Sequence, residues 1–209
     1  MHGTGLLLVL QGETVWNAAG RLQGQTDIPL SPRGEAQARQ VAARLASEPL
    51  DAIVASDLQR ALHTARVIAA RHPSVPLHPD AHLREPSKGV WEGLPWDEVR
   101  ARFPAQAAVW QADHDAVPEG HEPHTATVAR VRSFYDDMRA AHAGASVLVV
   151  AHGQILRMLV CVVLGFDPAH FLRFNLGNAS ISEIRFSAED PTLHHLNDTS
   201  HLAGDDGTQ

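Results

Sequence analysis

The stretch Gly5-Leu-Leu-Leu-Val-Leu-Gln-Gly12, near the amino terminus, decides the fold. Its apolar run is short and unbroken, which is typical of a strand buried on both faces of a parallel sheet. Gly12 closes the run, so the strand is expected to lead directly into a functional loop. In α/β proteins, ligands bind beyond strand ends of this kind.

Helical patterns alternate with further apolar runs. Ser31-Pro32 supplies an N-cap and a proline for the first helical position, and apolar residues follow at helical spacing from 38 to 45. The run at 51–56 predicts a second strand, and apolar spacing from 58 to 68 predicts the helix after it.

The same alternation returns in the last third of the chain. An apolar stripe from Val128 to Met138 predicts a helix that ends by Gly144. A strand at 146–151, a helix at 153–164 and a late strand at 180–186 follow. This order predicts an α/β fold, a three-layer sandwich in which a mostly parallel central sheet carries helices on both faces.

The length of 209 residues suits one compact domain. We expect a single domain over 1–202 and a short, flexible tail over 203–209. The segment at about 86–123 is rich in proline and tryptophan and is expected to form a lid or insertion.

Composition narrows the function classes. Apolar residues make up 44% and charged residues 20%, which is ordinary for a soluble protein. The formal net charge of -7 argues against a nucleic-acid partner, so an anionic ligand would need a local group of arginines. The single Cys161 excludes an internal disulfide. The sequence shows no signal segment and no apolar run of about 18 residues, so a membrane partner is not expected. A cytoplasmic protein is expected.

Three strand ends should converge at one edge of the sheet, around Gln11, Ser56-Asp57 and His152-Gly153. Arg60 lies just after one of these strands, and Glu85 lies in the loop region between two of them. A guanidinium matches phosphate oxygens, a carboxylic acid can protonate a leaving alkoxide, and an imidazole can contact the transferring phosphoryl group. Together these groups predict phosphate-ester chemistry.

Four groups of residues carry a resemblance to a known family. They are Gly12-Glu-Thr-Val-Trp-Asn17 with Gly20-Arg-Leu-Gln-Gly24 and Pro29-Leu-Ser-Pro-Arg-Gly34; Ser56-Asp-Leu-Gln-Arg-Ala61 with Thr64-Ala65; Leu83-Arg-Glu85 with Gly89-Val-Trp-Glu-Gly93; and Val150-Ala-His-Gly153. In their order and spacing the chain resembles the histidine phosphatase superfamily, also called phosphoglycerate mutase-like, over nearly its whole length.

The resemblance implies a role for each matching residue. Arg60 would clamp phosphate, Glu85 would be the general acid, and His152 would contact the phosphoryl group. Asn17, Gln23, Gly153 and Gln154 would add substrate or phosphate contacts. No cofactor is implied, and the many histidines show no spacing typical of a metal site.

The chain departs from the family pattern at residues 10 and 11, which include the position of the nucleophile. The family signature opens with arginine, histidine and glycine, whereas this chain has Leu10, Gln11 and Gly12. The missing histidine is the family's nucleophile, and the glutamine amide nitrogen cannot replace it because its lone pair is delocalised into the carbonyl. Leu10 removes one contact to phosphate.

Two functions remain open. The first is a phosphatase-type hydrolase of a small phosphorylated metabolite whose activity is lost or strongly reduced. The second is a non-catalytic module that binds phosphate or another anion, and a small phosphorylated molecule or inorganic phosphate is the expected partner of both. Mutase-type phosphotransfer is a further alternative, although the chain lacks room for the longer insertion of glycolytic mutases. Slow hydrolysis through attack by water or by His152 is another alternative. A homodimer is a possible oligomeric state.

Three of the site residues also have a purely structural interpretation. Arg60 could be a solvated surface charge, Glu85 a surface carboxylate, and His152 a satisfied core histidine.

Overall fold

A computed structural model describes residues 5–116, 118–187 and 190–202. Within these residues six strands form one sheet in the order β3-β2-β4-β1-β5-β6. The strands are β1 (Gly5–Leu10), β2 (Ala52–Ala55), β3 (Leu77–Pro79), β4 (Ser146–Ala151), β5 (Ile181–Ser187) and β6 (Asp190–Asp198). Strands β1 to β4 pair in parallel, and β5 pairs antiparallel with both β1 and β6. The predicted tail at 203–209 lies outside the described residues.

Helices connect the strands. The α-helices are α1 (Val15–Ala18), α2 (Pro32–Leu45), α3 (Gln59–Ala69), α4 (Trp96–Arg102), α5 (Pro104–Ala112), α6 (His124–Ala141) and α7 (Gly153–Leu164). Short 3₁₀ helices occupy Ala81–Leu83, Gly89–Trp91, Pro168–Arg173 and Ser200–Leu202. In the described part of the chain, no helix is long and apolar enough to cross a membrane.

The core has two halves, one on each face of the sheet. Leu6, Leu8 and Leu10 of β1 pack on α6 and α7, whereas Val9 packs on the other face, against α2 and α3. This alternation is the period of two of a strand, and both sets are apolar because helices cover both faces. The predicted α/β fold, with a mostly parallel sheet between two helical layers, is confirmed.

The elements missed by the sequence reading are short or polar. Strand β3 has only three residues, two of them exposed, and β6 carries His194 and His195 in a mixed polar run. These two strands form the edges of the sheet, where fewer side chains meet the core. Edge strands therefore lack the unbroken apolar run that marks β1 and β4.

The topology brings three parallel strand ends to one edge. In the central part of the sheet β4 lies between β1 and β2, with Leu10 opposite Ala151 and Ala55 opposite Val150. The loop after β1 packs closely against the start of α2, since a Cβ added to Gly12 would lie 2.5 Å from the Gly34 carbonyl oxygen. Side chains that follow β1, β2 and β4 therefore surround a common space.

Candidate active site

A cavity of about 370 Å³ opens beyond these strand ends. It is lined by every site residue predicted from the sequence: Gln11, Asn17, Gln23, Arg60, Glu85, His152, Gly153 and Gln154. Leu10 also lines it, while most of the Leu10 side chain is buried in the core. Residues separated by more than 140 positions thus share one site.

Gln11 lines the cavity and follows β1 directly. Its backbone N–H donates to the Ala151 carbonyl oxygen at 3.0 Å, and its own carbonyl oxygen accepts from the backbone N–H of Ala179 at 3.2 Å. The side chain is only 5% exposed, and its Oε1 has no hydrogen-bond partner within the described residues. The amide is therefore held at the strand end without a protein donor for its oxygen.

His152 ends β4 and precedes the first turn of α7. Its Nε2 and the Ser56 hydroxyl oxygen are 2.8 Å apart, and its Nδ1 is buried with no partner in the described part of the chain. Burial holds the pKa of His152 well below its ordinary value, and the cations Arg60 and Arg130 lower it further. The imidazole is therefore neutral at physiological pH.

Arg60 lies in the first turn of α3 and is almost fully buried. Its guanidinium donates to the carbonyl oxygens of Gly24 at 2.7 Å and Thr26 at 3.1 Å. These bonds fix the fork of the side chain, so that its position does not depend on a ligand. Burial rules out the interpretation of Arg60 as a solvated surface charge.

Glu85 faces the amino terminus of α7. Its Oε2 accepts from the backbone N–H of Gln154 at 3.3 Å. Burial raises the pKa of this carboxyl group, and the nearby cations Lys88, Arg60 and Arg157 oppose the rise. A carboxyl group with a raised pKa is suited to donating a proton near neutral pH.

Asn17 and Gln23 are held by Thr14 at the start of α1. The Thr14 backbone N–H donates to Asn17 Oδ1 at 3.0 Å, and the Thr14 hydroxyl donates to Gln23 Oε1 at 2.9 Å. Asn178, which the sequence did not predict, also lines the cavity, and its Nδ2 donates to the Gln11 carbonyl oxygen at 3.2 Å. Asn178 lies in the loop before β5, far from any segment that carries the family resemblance.

Three further cations line the cavity and were also missed: Arg21, Lys88 and Arg157. Arg157 lies one helical turn after Gly153, so helical spacing from His152-Gly153 could have indicated it. Lys88 follows Glu85 by three residues, within a run that departs from the family pattern. Its inward direction depends on a 3₁₀ turn that the sequence does not signal.

The charges around the cavity are unusual for an acidic protein. Four cations, Arg21, Arg60, Lys88 and Arg157, line it together with one carboxylate, Glu85. Across residues 5–116, 118–187 and 190–202, no carboxylate oxygen lies within 4.0 Å of these four cations. Glu85 acts on Arg60, Lys88 and Arg157 from a greater distance, so it balances only part of the positive charge that a bound anion would meet.

One wall of the cavity is aromatic. Trp91, Trp96 and Trp110 pack edge to face with centroids 5.5 to 6.0 Å apart, and Trp110 reaches the cavity. His121 packs on Trp91 at 5.4 Å. The described residues contain no group of three or more His, Cys, Asp or Glu side chains arranged to hold a metal ion.

Comparison with known proteins gives the family. The profile of the histidine phosphatase superfamily (branch 1) matches residues 6–199. The chain belongs to this superfamily. Among similar proteins is "Phosphoserine phosphatase 1" of Hydrogenobacter thermophilus, which is 34% identical over 94% of this chain and 93% of its own length.

Two other proteins similar to this chain carry different names, one of a mutase and one of a phosphatase. "Probable phosphoglycerate mutase GpmB" of Yersinia enterocolitica is 34% identical over 94% of each chain. The crystal structure of the α-ribazole phosphatase from Shigella flexneri superposes with a TM-score of 0.87 at 27% identity, covering 93% of this chain and 96% of that one. The names of these relatives support a phosphatase-type function for the superfamily member described here.

Proposed function

We propose that this protein binds a small phosphorylated metabolite in a phosphatase-type pocket, and that its hydrolysis of the ester is lost or strongly reduced. The observation that carries the proposal is the side chain at the end of β1. Gln11 occupies the nucleophile position, while Arg60, Glu85 and His152 still surround the same cavity. The pocket keeps the Arg60 guanidinium, but it lacks the attacking atom and the arginine that precedes it in the family signature.

The chemistry of an amide explains the expected loss. Covalent hydrolysis requires a lone pair that attacks phosphorus, and the Gln11 amide can only donate and accept hydrogen bonds. Removing the nucleophile of a covalent hydrolase lowers turnover by a factor on the order of 10⁶. Mutase-type phosphotransfer would be lost with it, because it needs the same phosphohistidine.

Residual hydrolysis would require direct attack by water. The water oxygen would form the new bond to phosphorus as the ester P–O bond breaks, and Glu85 would protonate the leaving alkoxide. The proton lost by the attacking water would then return to the Glu85 carboxylate. His152 is poorly placed to attack, since it is 2% exposed and its Nε2 is bonded to Ser56. Its role in the proposal is to contact the phosphoryl group.

Binding without turnover is the second candidate function, and the four cations that line the cavity favour it. They outnumber the single carboxyl group beside them, Glu85, and would stabilise bound phosphate whether or not it is hydrolysed. In this case the protein would act as a regulatory or anion-binding module. The segment at 86–123, which contributes Lys88 and Trp110 to the cavity, would then select the ligand.

Phosphate binding is tested by thermal unfolding. At tenfold excess over its Kd, inorganic phosphate is expected to raise the Tm by about 3 °C or more. Chloride at equal ionic strength should not raise it, and Arg60→Met should abolish the phosphate effect. No phosphate-dependent change in Tm at any concentration would contradict the binding proposal.

Loss of turnover is tested separately by measuring the hydrolysis of an aryl phosphate with metal-free protein between about pH 4 and 8. We expect a rate at least about 10³-fold below that of a Gln11→His variant. Residues 10 and 11 are verified first by intact mass and peptide sequencing. Rapid turnover by the unaltered protein that Glu85→Gln abolishes would show that hydrolysis survives without the histidine.

A further inference from the structure

Glu92 is a half-buried residue to which the proposed chemistry gives no role, and it does not line the cavity. Within the described residues its two carboxylate oxygens accept five hydrogen bonds, which come from two separate segments of the chain. The donors are the backbone N–H groups of Gln25 at 3.0 Å, Thr26 at 2.8 Å and Lys88 at 3.0 Å, and the hydroxyls of Thr26 and of Ser87, the latter at 3.3 Å.

The residues after Glu92 explain why its carboxylate meets the loop at 24–26. The backbone N–H of Gly93 donates to the Leu22 carbonyl oxygen at 3.0 Å, and the N–H of Leu22 donates to the Leu94 carbonyl oxygen at 2.9 Å. The two segments therefore run side by side. This pairing holds Glu92 next to the loop that follows Leu22.

One peptide group joins Glu92 to Arg60. The Gly24 carbonyl oxygen accepts from the Arg60 guanidinium at 2.7 Å, and the Gln25 N–H of the same peptide group donates to Glu92 Oε1. The peptide dipole thus has a cation at its oxygen and an anion at its N–H, so each charge strengthens the hydrogen bond of the other. Thr26 is held similarly, its N–H by Glu92 and its carbonyl oxygen by Arg60.

The contact between the loop and the carboxylate leaves no room for a side chain at position 24. A Cβ added to Gly24 would lie 2.0 Å from Glu92 Oε1 and 2.6 Å from the Lys88 backbone nitrogen. The loop, the carboxylate and the turn at Lys88 therefore pack together with little freedom to move.

Glu92 is ionised at neutral pH. Burial by itself would raise the pKa of Glu92, but the hydrogen bonds from Thr26, Lys88 and Gln25 outweigh burial and lower the pKa. Burial lowers the pKa of Arg60, and Glu92 is one of the carboxylates that oppose this change. Glu92 and Arg60 therefore carry opposite charges on the two sides of the loop.

We propose that Glu92 is a positioning residue, which fixes the orientation of the Arg60 guanidinium toward phosphate. It acts through the peptide group between Gly24 and Gln25 and through Thr26, and it does not touch the phosphate. This inference rests on the proposed function, which assigns phosphate binding to Arg60.

Charge and position predict opposite effects when the carboxylate is removed. Glu92→Gln takes away a negative charge near Arg60, and electrostatics alone would then make phosphate bind more tightly. The new amide nitrogen, however, would face a backbone N–H whichever way the amide turns, so a bond to Gln25 or to Thr26 would be lost. The positioning role therefore predicts weaker phosphate binding.

Calorimetry with inorganic phosphate measures the effect. Glu92→Gln should raise the Kd about tenfold or more. Arg60→Lys keeps the charge at position 60 but not the fork that the loop orients, so adding Glu92→Gln to it should change the Kd by less than about twofold.

Asp115→Asn is the matched control for the loss of a carboxylate. Asp115 Oδ1 also accepts from the backbone N–H and the hydroxyl of one threonine, Thr125, and neither residue lines the cavity. The Kd of Asp115→Asn should stay within about twofold of that of the unaltered protein.

A milder pair of variants decides the question if Glu92→Gln fails to fold. Thr26→Val removes the hydroxyl that donates to Glu92, at an exposed position, and keeps the backbone bonds to Glu92 and Arg60. It should raise the Kd about two- to fivefold, whereas Thr26→Ser should bind phosphate as the unaltered protein does. Equal affinities for Thr26→Val and the unaltered protein would contradict the proposal.

The remaining outcomes separate this inference from the proposed function. Unchanged or tighter phosphate binding by Glu92→Gln would exclude the positioning role and leave phosphate binding intact. An equal loss of affinity with and without Arg60→Lys would show that Glu92 does not act through Arg60, which also overturns the inference. Failure of the unaltered protein to bind phosphate would overturn the proposed function itself.

Discussion

The Nε2 atom of His152 and the hydroxyl oxygen of Ser56 are joined by a buried hydrogen bond of 2.8 Å. Ser56 follows β2 and His152 follows β4, so the bond links two adjacent strand ends. The Ser56 oxygen also accepts from the backbone N–H of Leu58 at 3.3 Å. The imidazole is thus oriented by the strand that leads to Arg60.

Ser56→Ala should destabilise the protein and weaken phosphate binding. It leaves an imidazole nitrogen buried without a partner, which costs about 1 to 3 kcal/mol of unfolding free energy. Urea unfolding measures this loss, and calorimetry measures the affinity for phosphate. Ser182→Ala is the matched control, because its buried hydroxyl accepts from Asn197 away from the cavity. An unchanged phosphate affinity in Ser56→Ala would show that the orientation of His152 is immaterial to binding.

Gln11→His should create phosphatase activity. The imidazole would stand at the end of β1, in the cavity that Arg60 also lines, and would supply the missing nucleophile. An aryl phosphate assay, with intact mass to detect a transferred phosphoryl group, measures the gain. Gln11→Asn is the control and should stay inactive. Adding Leu10→Arg should tighten phosphate binding but lower stability, because Leu10 is packed in the core.

Activity in the Gln11→His background should depend on Glu85 and on pH. Glu85→Gln removes the proton donor and should lower kcat for alkyl phosphates by about 10² to 10⁴, with a smaller effect on aryl phosphates, whose leaving groups need less protonation. Because burial raises the pKa of Glu85, activity should persist above the ordinary range of a carboxyl group and decline as Glu85 loses its proton. A pH profile that Glu85→Gln does not alter would assign the acid to another group.

Acid should destabilise the protein through His121. Burial, aided by the Lys88 charge, lowers the pKa of His121 to about 4, against 6.5 for an ordinary histidine. Between these values the unfolded chain binds the proton and the folded chain does not, so unfolding is favoured as the pH falls through this window. The loss attributable to His121 approaches about 3 kcal/mol at the acid end.

His121→Phe should therefore flatten the pH dependence of unfolding free energy between about pH 6.5 and 4. Part of the slope will remain, because burial also lowers the pKa of His124, His152 and His201. His78→Phe, at an exposed position of β3, is the control for the loss of an imidazole. Identical slopes in the His121 variant and the unaltered protein would contradict the prediction.

Gly34→Ala should be strongly destabilising. The added Cβ would lie 1.9 Å from the carbonyl oxygen of Glu13, which belongs to the backbone and cannot rotate away. Overpacking of this kind costs about 1 to 3 kcal/mol or more. Gly177→Ala is the control, since its Cβ would meet only ordinary contacts. Equal unfolding midpoints for the two variants would show that the loop after β1 adapts.

Much of this architecture could be predicted from local patterns. The runs ending at Leu10, Ser56 and Ala151 predicted three central strands, because strands covered on both faces must be continuously apolar. Helix α2 was predicted from Ser31-Pro32, and the Ser31 hydroxyl oxygen does accept from the backbone N–H of Gly34. The edge strands escaped prediction because half of their residues face solvent.

Some residues of the candidate site could likewise be predicted from the sequence, and others could not. Gln11, Arg60 and His152 follow predicted elements directly, so their convergence could be expected from topology alone. Lys88 and Asn178 lie in irregular segments, and their directions depend on a 3₁₀ turn and on the approach to β5. Such directions arise from tertiary contacts between distant segments, which no local periodicity encodes.

The cations of this cavity are anchored by neutral oxygens. Arg60 binds the carbonyl oxygens of Gly24 and Thr26, Arg157 binds that of Gly153, and Lys88 binds the Gln154 amide. The rotamer entropy of these long side chains is therefore lost during folding and not when a ligand arrives. The cavity is preorganised for an anion, so the association rate should be set by diffusion and electrostatic attraction without a preceding rearrangement of the site.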